Sequence, residues 1–212
     1  MPDTTDTVPS AIRRVENPTA AQLCRLVEAY DDLQTVLRCC ERLMTLIGGG
    51  GAGLAARPDD ADVEALWTLA LLSYARAFSA ESEHAAVTED DLPDTAAKDE
   101  VQRAHRVLLH LRDHHAHGAT NPREIYSVGA AQGDDGAVHA VAVTSIGTPL
   151  VDVAAVRQLG GITYVLCTTL DQRIGALQEV LLAELQQVPR AELEAMELIE
   201  VCLLYTSPSP RD

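Results

Sequence analysis

Five of the seven histidines in this 212-residue chain fall between His105 and His117, with an arginine and an aspartate among them. The run Arg112-Asp113-His114-His115-Ala116-His117-Gly118 joins a fixed cation, a carboxylate and imidazoles. Those are the groups that metal-free cleavage of an RNA phosphodiester requires. Histidine titrates near neutral pH and can take the proton of a ribose 2′-hydroxyl. The planar fork of arginine can hold the charge developing on the phosphoryl oxygens. The same run also admits a second chemistry: His110, His114 and His117 stand at i, i+4 and i+7, a stripe that could meet a zinc ion. No distant cysteine or aspartate completes that set, so no metal and no cofactor is expected. A third reading is a polar helix end facing solvent, with no site at all. Asn121, in Asn121-Pro122-Arg123-Glu124, either supports a site or stabilises the turn after the helix, and Glu124 could pair with Arg112 or Arg123. His105, one turn before the inward Leu108, is expected to lie outside the site, and His105→Ala to retain activity.

These residues need a scaffold, and the periodicity predicts a mainly α fold: a bundle of about four helices with an inserted two-stranded β-hairpin. After a polar leader over 1–18, expected to be disordered, Thr19 is the expected N-cap of the first helix. Leu23, Leu26, Tyr30, Leu33, Leu37, Cys40, Met44 and Ile47 then recur at alternating steps of three and four. That stripe suits one face of an intramolecular bundle, or the seam of an intermolecular coiled coil. Gly48, Gly50 and Gly53 spell GxGxxG, but a helix precedes them where a dinucleotide fingerprint needs a strand, so a linker is expected. A second helix is expected from about Ala61 to His84, with Val63, Leu66, Trp67, Ala70, Leu71, Tyr74, Ala77 and Phe78 forming a broad apolar face. The third begins near Thr95, turns Val101, Ala104, Leu108 and Leu111 inward, and ends at His117 before Gly118. Strands over Glu124–Ala131 and Ala137–Ser145 flank the turn-rich Gln-Gly-Asp-Asp-Gly. A long helix follows from about Pro149 to Val188, and Gly160-Gly161 inside it marks a kink or a close helix crossing. The helical domain therefore spans 19–188, with a C-terminal region beginning at 189–201.

Arginine, a polar residue, three further residues and then histidine resembles the signature of the HEPN superfamily, small helical bundles that include many metal-independent ribonucleases of defence, toxin and RNA-processing systems. Arg112, Asp113 and His117 match that motif. The segments His110 to Glu124 and Ser73–Phe78 also look like uncharacterised actinobacterial proteins of this type. The hairpin is not part of the minimal family bundle. The resemblance implies a cytoplasmic endoribonuclease with Arg112, Asp113 and His117 in its catalytic centre and His114 and Asn121 supporting the RNA. It also implies a homodimer and a cognate protein partner in a toxin–antitoxin or defence setting. Five residues along an ideal helix are rotated by about 140°. Arg112 and His117 therefore converge only if the helix ends between them or across a dimer interface. The alternative is a non-catalytic helical module that binds a protein partner.

Composition limits these readings. The net charge of −16 argues against a broad nucleic-acid surface, yet leaves room for a pocket taking a few nucleotides. Aromatic residues are 3% of the chain, so alanine, leucine and valine must fill the core. Cys24, Cys39, Cys40, Cys167 and Cys202 form no CxxC pair and are expected to be mostly buried thiols. No continuous apolar run reaches membrane length and no signal-peptide core precedes Ser10, so a cytoplasmic protein is expected. Cys202–Asp212 resembles one translated frame of a transposon-end sequencing adapter rather than native protein. Truncation after Val201 is accordingly expected to leave the melting temperature unchanged. A drop of about 4 °C, equivalent to roughly 1 kcal/mol in a domain of this size, would show these residues to be structural.

Overall fold

The computed structural model describes residues 11–48, 60–78, 86–93, 98–116, 124–147 and 151–199. Its helices are α1 (Pro18–Gly48), α2 (Asp60–Ala77), α3 (Lys98–Ala116), α4 (Val153–Gln186) and α5 (Arg190–Ala195). A 3₁₀ turn, Glu89–Asp91, precedes α3, and strands β1 (Glu124–Gln132) and β2 (Val138–Gly147) lie between α3 and α4. The fold is mainly α with an inserted antiparallel hairpin, as the periodicity predicts.

The chain starts α1 two residues earlier than expected. Asn17, not Thr19, is the N-cap: its Oδ1 accepts from Ala20 N at 2.7 Å, and Pro18 occupies the first helical position, where its missing N–H costs nothing. At α4 the cap is Asp152, which accepts from Ala155 N at 2.7 Å, so the helix begins at Val153 rather than Pro149. The leader is not disordered throughout. Arg13 bridges Leu198, Arg14 N donates to Glu197 O at 2.8 Å, and Ile199 N donates to Ile12 O at 2.9 Å. Residues 11–17 are thereby tied to the segment after α5, and the expectation of a disordered leader fails for them. The Gly-rich linker, the end of the second helix beyond Phe78 and the adapter-like tail lie outside the described residues.

Helix α1 is central, with α4 along one side and α2 along the other. It runs antiparallel to α4: Asn17 reaches Glu184 at one end of the pairing and Cys40 faces Gly160 at the other. Leu26, Ala29, Leu33, Val36, Cys40 and Leu43 are buried at steps of three and four, while Tyr30, Leu37 and Met44 are half-buried. The buried stripe is rotated from the expected one because α1 serves two neighbours and buries a wider arc. It is consumed inside the bundle and leaves no coiled-coil seam. The other half of the α1–α4 core comes from Val156, Leu159, Ile162, Leu166, Cys167 and Leu170. Burial pushes the Cys40 thiol up to about 12 and the Cys167 thiol up to about 11, so both are inert. Cys24 is exposed.

Two ion pairs tie the layers together. Arg76 of α2 forks onto Asp32 of α1, with Nε to Oδ1 at 3.1 Å, and Arg173 of α4 holds Asp91 of the 3₁₀ turn. Burial raises the Asp91 carboxyl, but Arg173 and Thr88 more than offset it and hold the group below its ordinary value. Helix α4 is long and apolar enough to cross a membrane by length and composition, which the absence of a continuous apolar run did not suggest. It is nonetheless amphipathic, since Arg157 and Glu179 are exposed opposite the buried row.

Gly160-Gly161 is a crossing point rather than a tight one. A Cβ at Gly160 would meet Cys40 Cβ at 3.7 Å, an ordinary contact, and one at Gly161 would meet nothing. Gly161→Ala is therefore expected to stabilise the protein by about 0.5–1 kcal/mol, read as a higher denaturant midpoint at unchanged slope. A lower midpoint would mean that α4 needs flexibility there.

Candidate functional site

Helix α3 carries most of the candidate residues, and packing on α2 fixes its orientation. Ala104, His105 and Leu108 are its buried positions, with Val101, Leu109 and Leu111 partly covered. His105 belongs to the core. Its ring is 1% exposed, lies 4.5 Å from the Phe78 ring, and its Nδ1 is 2.9 Å from the Tyr74 hydroxyl. The hydrogen bond forms in either tautomer, Tyr74 donating to a bare Nδ1 or accepting from a protonated one. The sequence held the signal: His105 follows Val101 by four and precedes Leu108 by three, on the inward face. Burial depresses the imidazole pKa, and Arg106 lowers it further against the opposing pull of Glu89.

At the C-terminal turn, Arg112 and Asp113 form an ion pair, Nε to Oδ1 at 2.8 Å, with side chains 38% and 51% exposed. The contact lacks hydrogen-bond alignment, and the buried Nε proton has no acceptor. The imidazoles around this pair divide between two faces. His110 and His114 stack edge-to-face with centroids 4.8 Å apart, and their Nε2 atoms lie 3.2 Å from each other. His115 turns toward α2, its Nδ1 3.0 Å from Thr68 Oγ1. Burial lowers the His115 pKa, with Glu64 opposing and His114 adding to the effect. The ring is therefore mostly neutral at pH 7. Three residues beyond Arg112, His115 is also the imidazole that the described helix places on the arginine's face. The sequence reading gave it no role, because the motif draws attention to His117.

Of the site residues read from the sequence, Arg112 and Asp113 are brought together and His114 joins His110 instead. His117 and Asn121 lie outside the described residues. Among the described residues no group of three His, Cys, Asp or Glu side chains is placed to hold a metal ion. Two concavities lie elsewhere. An open groove of about 760 Å³ between the first half of α1 and the second half of α4 is lined by Arg25, Leu26, Arg173 and Leu177. A crevice of about 280 Å³ lies between Trp67, Leu108 and Ala155. Neither includes Arg112, Asp113 or His114.

The His105 environment has a pH consequence. Its folded pKa lies below the ordinary 6.5, so below pH 6.5 the unfolded chain binds more protons than the folded one. Stability is full above that pH and is lost on acidification. Thermal melts between pH 7.5 and pH 5.5 (about one pKa unit to each side of the ordinary histidine value) are expected to show a falling midpoint, and His105→Asn a shallower fall. Equal slopes would remove His105 as the cause. His105→Ala is expected to cost about 2–4 kcal/mol, through the cavity and the stranded Tyr74 hydroxyl.

Comparison of the chain with protein-family models, with curated proteins and with solved structures gives no match.

Proposed function

We propose that this chain is a HEPN-like helical domain acting as a metal-independent endoribonuclease in a cytoplasmic defence or toxin–antitoxin setting. The observation that carries this reading is the cluster of Arg112, Asp113 and three imidazoles on the last turns of α3, on a helix end that solvent reaches. In this reading His117 takes the 2′-hydroxyl proton, the 2′-oxygen attacks phosphorus, and the 5′-oxygen leaves with a proton to give a 2′,3′-cyclic phosphate. Arg112 carries the charge on the phosphoryl oxygens, Asp113 orients the guanidinium, and His114 and Asn121 steady the RNA. The charge of −16 restricts contact to a few nucleotides near Arg112.

A second reading is a non-catalytic module that binds protein. It is favoured by an exposed apolar hairpin and by two concavities among the described residues that lie away from Arg112, Asp113 and His114.

Cleavage of single-stranded and structured RNA by the purified chain separates the two. On the nuclease reading, His117→Ala and Arg112→Lys each lose about 10²–10⁴ in rate at unchanged helical circular dichroism. His139→Ala, at the hairpin turn, keeps full activity, and a chelator has no effect. Loss of activity in His115→Ala but not in His117→Ala would move the base to the imidazole beside Thr68. A wild-type chain that cuts no RNA sinks the nuclease reading and leaves the module.

A further inference from the structure

The hairpin is the most anomalous part of the molecule. Strands β1 and β2 pair over nine positions in an antiparallel ladder, with an irregularity at Ala131/Gln132. The turn is built for it: Gly136 adopts φ +77°, and Ala137 N donates to Asp135 Oδ1 at 3.0 Å. Yet neither strand packs substantially on any helix. An isolated two-stranded hairpin is marginal in water.

Residues directly opposite in the ladder share a face, and alternate residues along a strand point the same way. One face carries Ile125 with Ile146, then Ser127 with Thr144, Gly129 with Ala142 and Ala131 with Ala140. The other carries Tyr126 with Ser145, Val128 with Val143, Ala130 with Val141 and Gln132 with Val138. On this second face Tyr126 is 58% exposed, Val128 72%, Val138 60%, Val141 73% and Val143 66%. Four valines thus stand exposed in one row, with Tyr126 at its end.

We propose that this face is the self-association surface of the protein, and that its occupant is the same face of a second copy. Charge supports that choice over a different partner. The chain carries −16, so two copies repel wherever their acidic helices meet. Between Ile125 and Gly147 the only ionisable side chains besides Tyr126 are Asp134, Asp135 and His139 at the turn, and no acidic or basic side chain stands in the apolar row. A basic partner would be drawn to the acidic bundle, not to this uncharged strip. Size bears on it as well: the four valines of the row are 60–73% exposed, and a specific twofold interface takes about 600 Å² from each copy at its lower bound. Large residues alternate with Ala130 and Ser145, so one row can interdigitate with its twofold mate. The heptad stripe of α1 is buried within the bundle and offers no competing seam.

Sedimentation of the full chain tests this without RNA, so its outcome is independent of the nuclease reading. The wild type is expected at twice its 22.7 kDa chain mass at tens of micromolar. Val128→Glu is expected to weaken association by about 100-fold, as loss of a central anchor does, with the helical signal unchanged. Val128→Thr/Val141→Thr preserves β-branched shape in the strands and is expected to weaken it by about tenfold. Ser127→Glu places the same charge on the opposite face and is expected to remain dimeric. A wild-type chain that stays monomeric overturns the proposal, whether the face is bare or covered by another part of the chain. So does a dimer that both valine variants leave intact, or one that Ser127→Glu dissociates as fully as Val128→Glu.

Discussion

The antiparallel seam between α1 and α4 positions everything else in this molecule. As α1 advances from Asn17 through Cys40, its partners on α4 retreat from Glu184 to Gly160, so the two helices stay in register over most of α1. With few aromatic residues available, the seam is filled by leucine, valine, isoleucine and cysteine, each larger side chain contributing about 1.5–3 kcal/mol on burial. Aliphatic side chains of this size allow close helix approach, and the glycine opposite Cys40 is tolerated rather than demanded. Helix α2 then uses the far side of α1, locked by Arg76 on Asp32, and α3 rests on α2.

Helix α3 is therefore two steps removed from the seam, and its anchors differ in kind. Only Ala104, His105 and Leu108 are fully buried on it. Val101, Leu109 and Leu111 add partial burial, and polar contacts complete its hold on α2: His105 to Tyr74 in its middle and His115 to Thr68 near its end. Such contacts add about 1 kcal/mol each when made and cost more when one partner is removed. An element held by so few apolar contacts opens more readily than α1 or α4. The Arg112 end can thus adjust around a ligand more readily than the α1–α4 seam.

Elements were legible in the sequence because their signals are local. The α1 heptad, the broad α2 face and the Gly-Asp-Asp-Gly turn each declare themselves within a few residues. What was not legible depends on neighbours. Thr19 looked like a cap until Asn17 and Pro18 were seen to fill the cap and first-turn positions. The buried row of α1 was rotated because two helices, not one, pack on it. The burial of His105 was not read, although it sits on the inward face; Tyr74, 31 residues away in sequence, makes burial tolerable by meeting its Nδ1. Within the site, the adjacency of Arg112 and Asp113 was readable, whereas the partition of His114 and His115 onto different faces follows from where α2 lies.

The hairpin gives this architecture its asymmetry. Edge strands in monomeric proteins are usually guarded by lysines, prolines or inward-pointing charges. Here the strands have none of these between Ile125 and Gln132, and β2 has only His139 near the turn. The acidic residues are concentrated on the helices, and along the hairpin surface charge falls away while large apolar side chains stay exposed. A strongly acidic body with a neutral, β-branched arm favours a single mode of approach: repulsion disfavours helix-to-helix contact, and burial of the valine row rewards contact through the arm. The same charge that keeps the bundles apart therefore gives the arm its selectivity. The strength of the contact is then set by how completely Tyr126, Val128, Val141 and Val143 leave water.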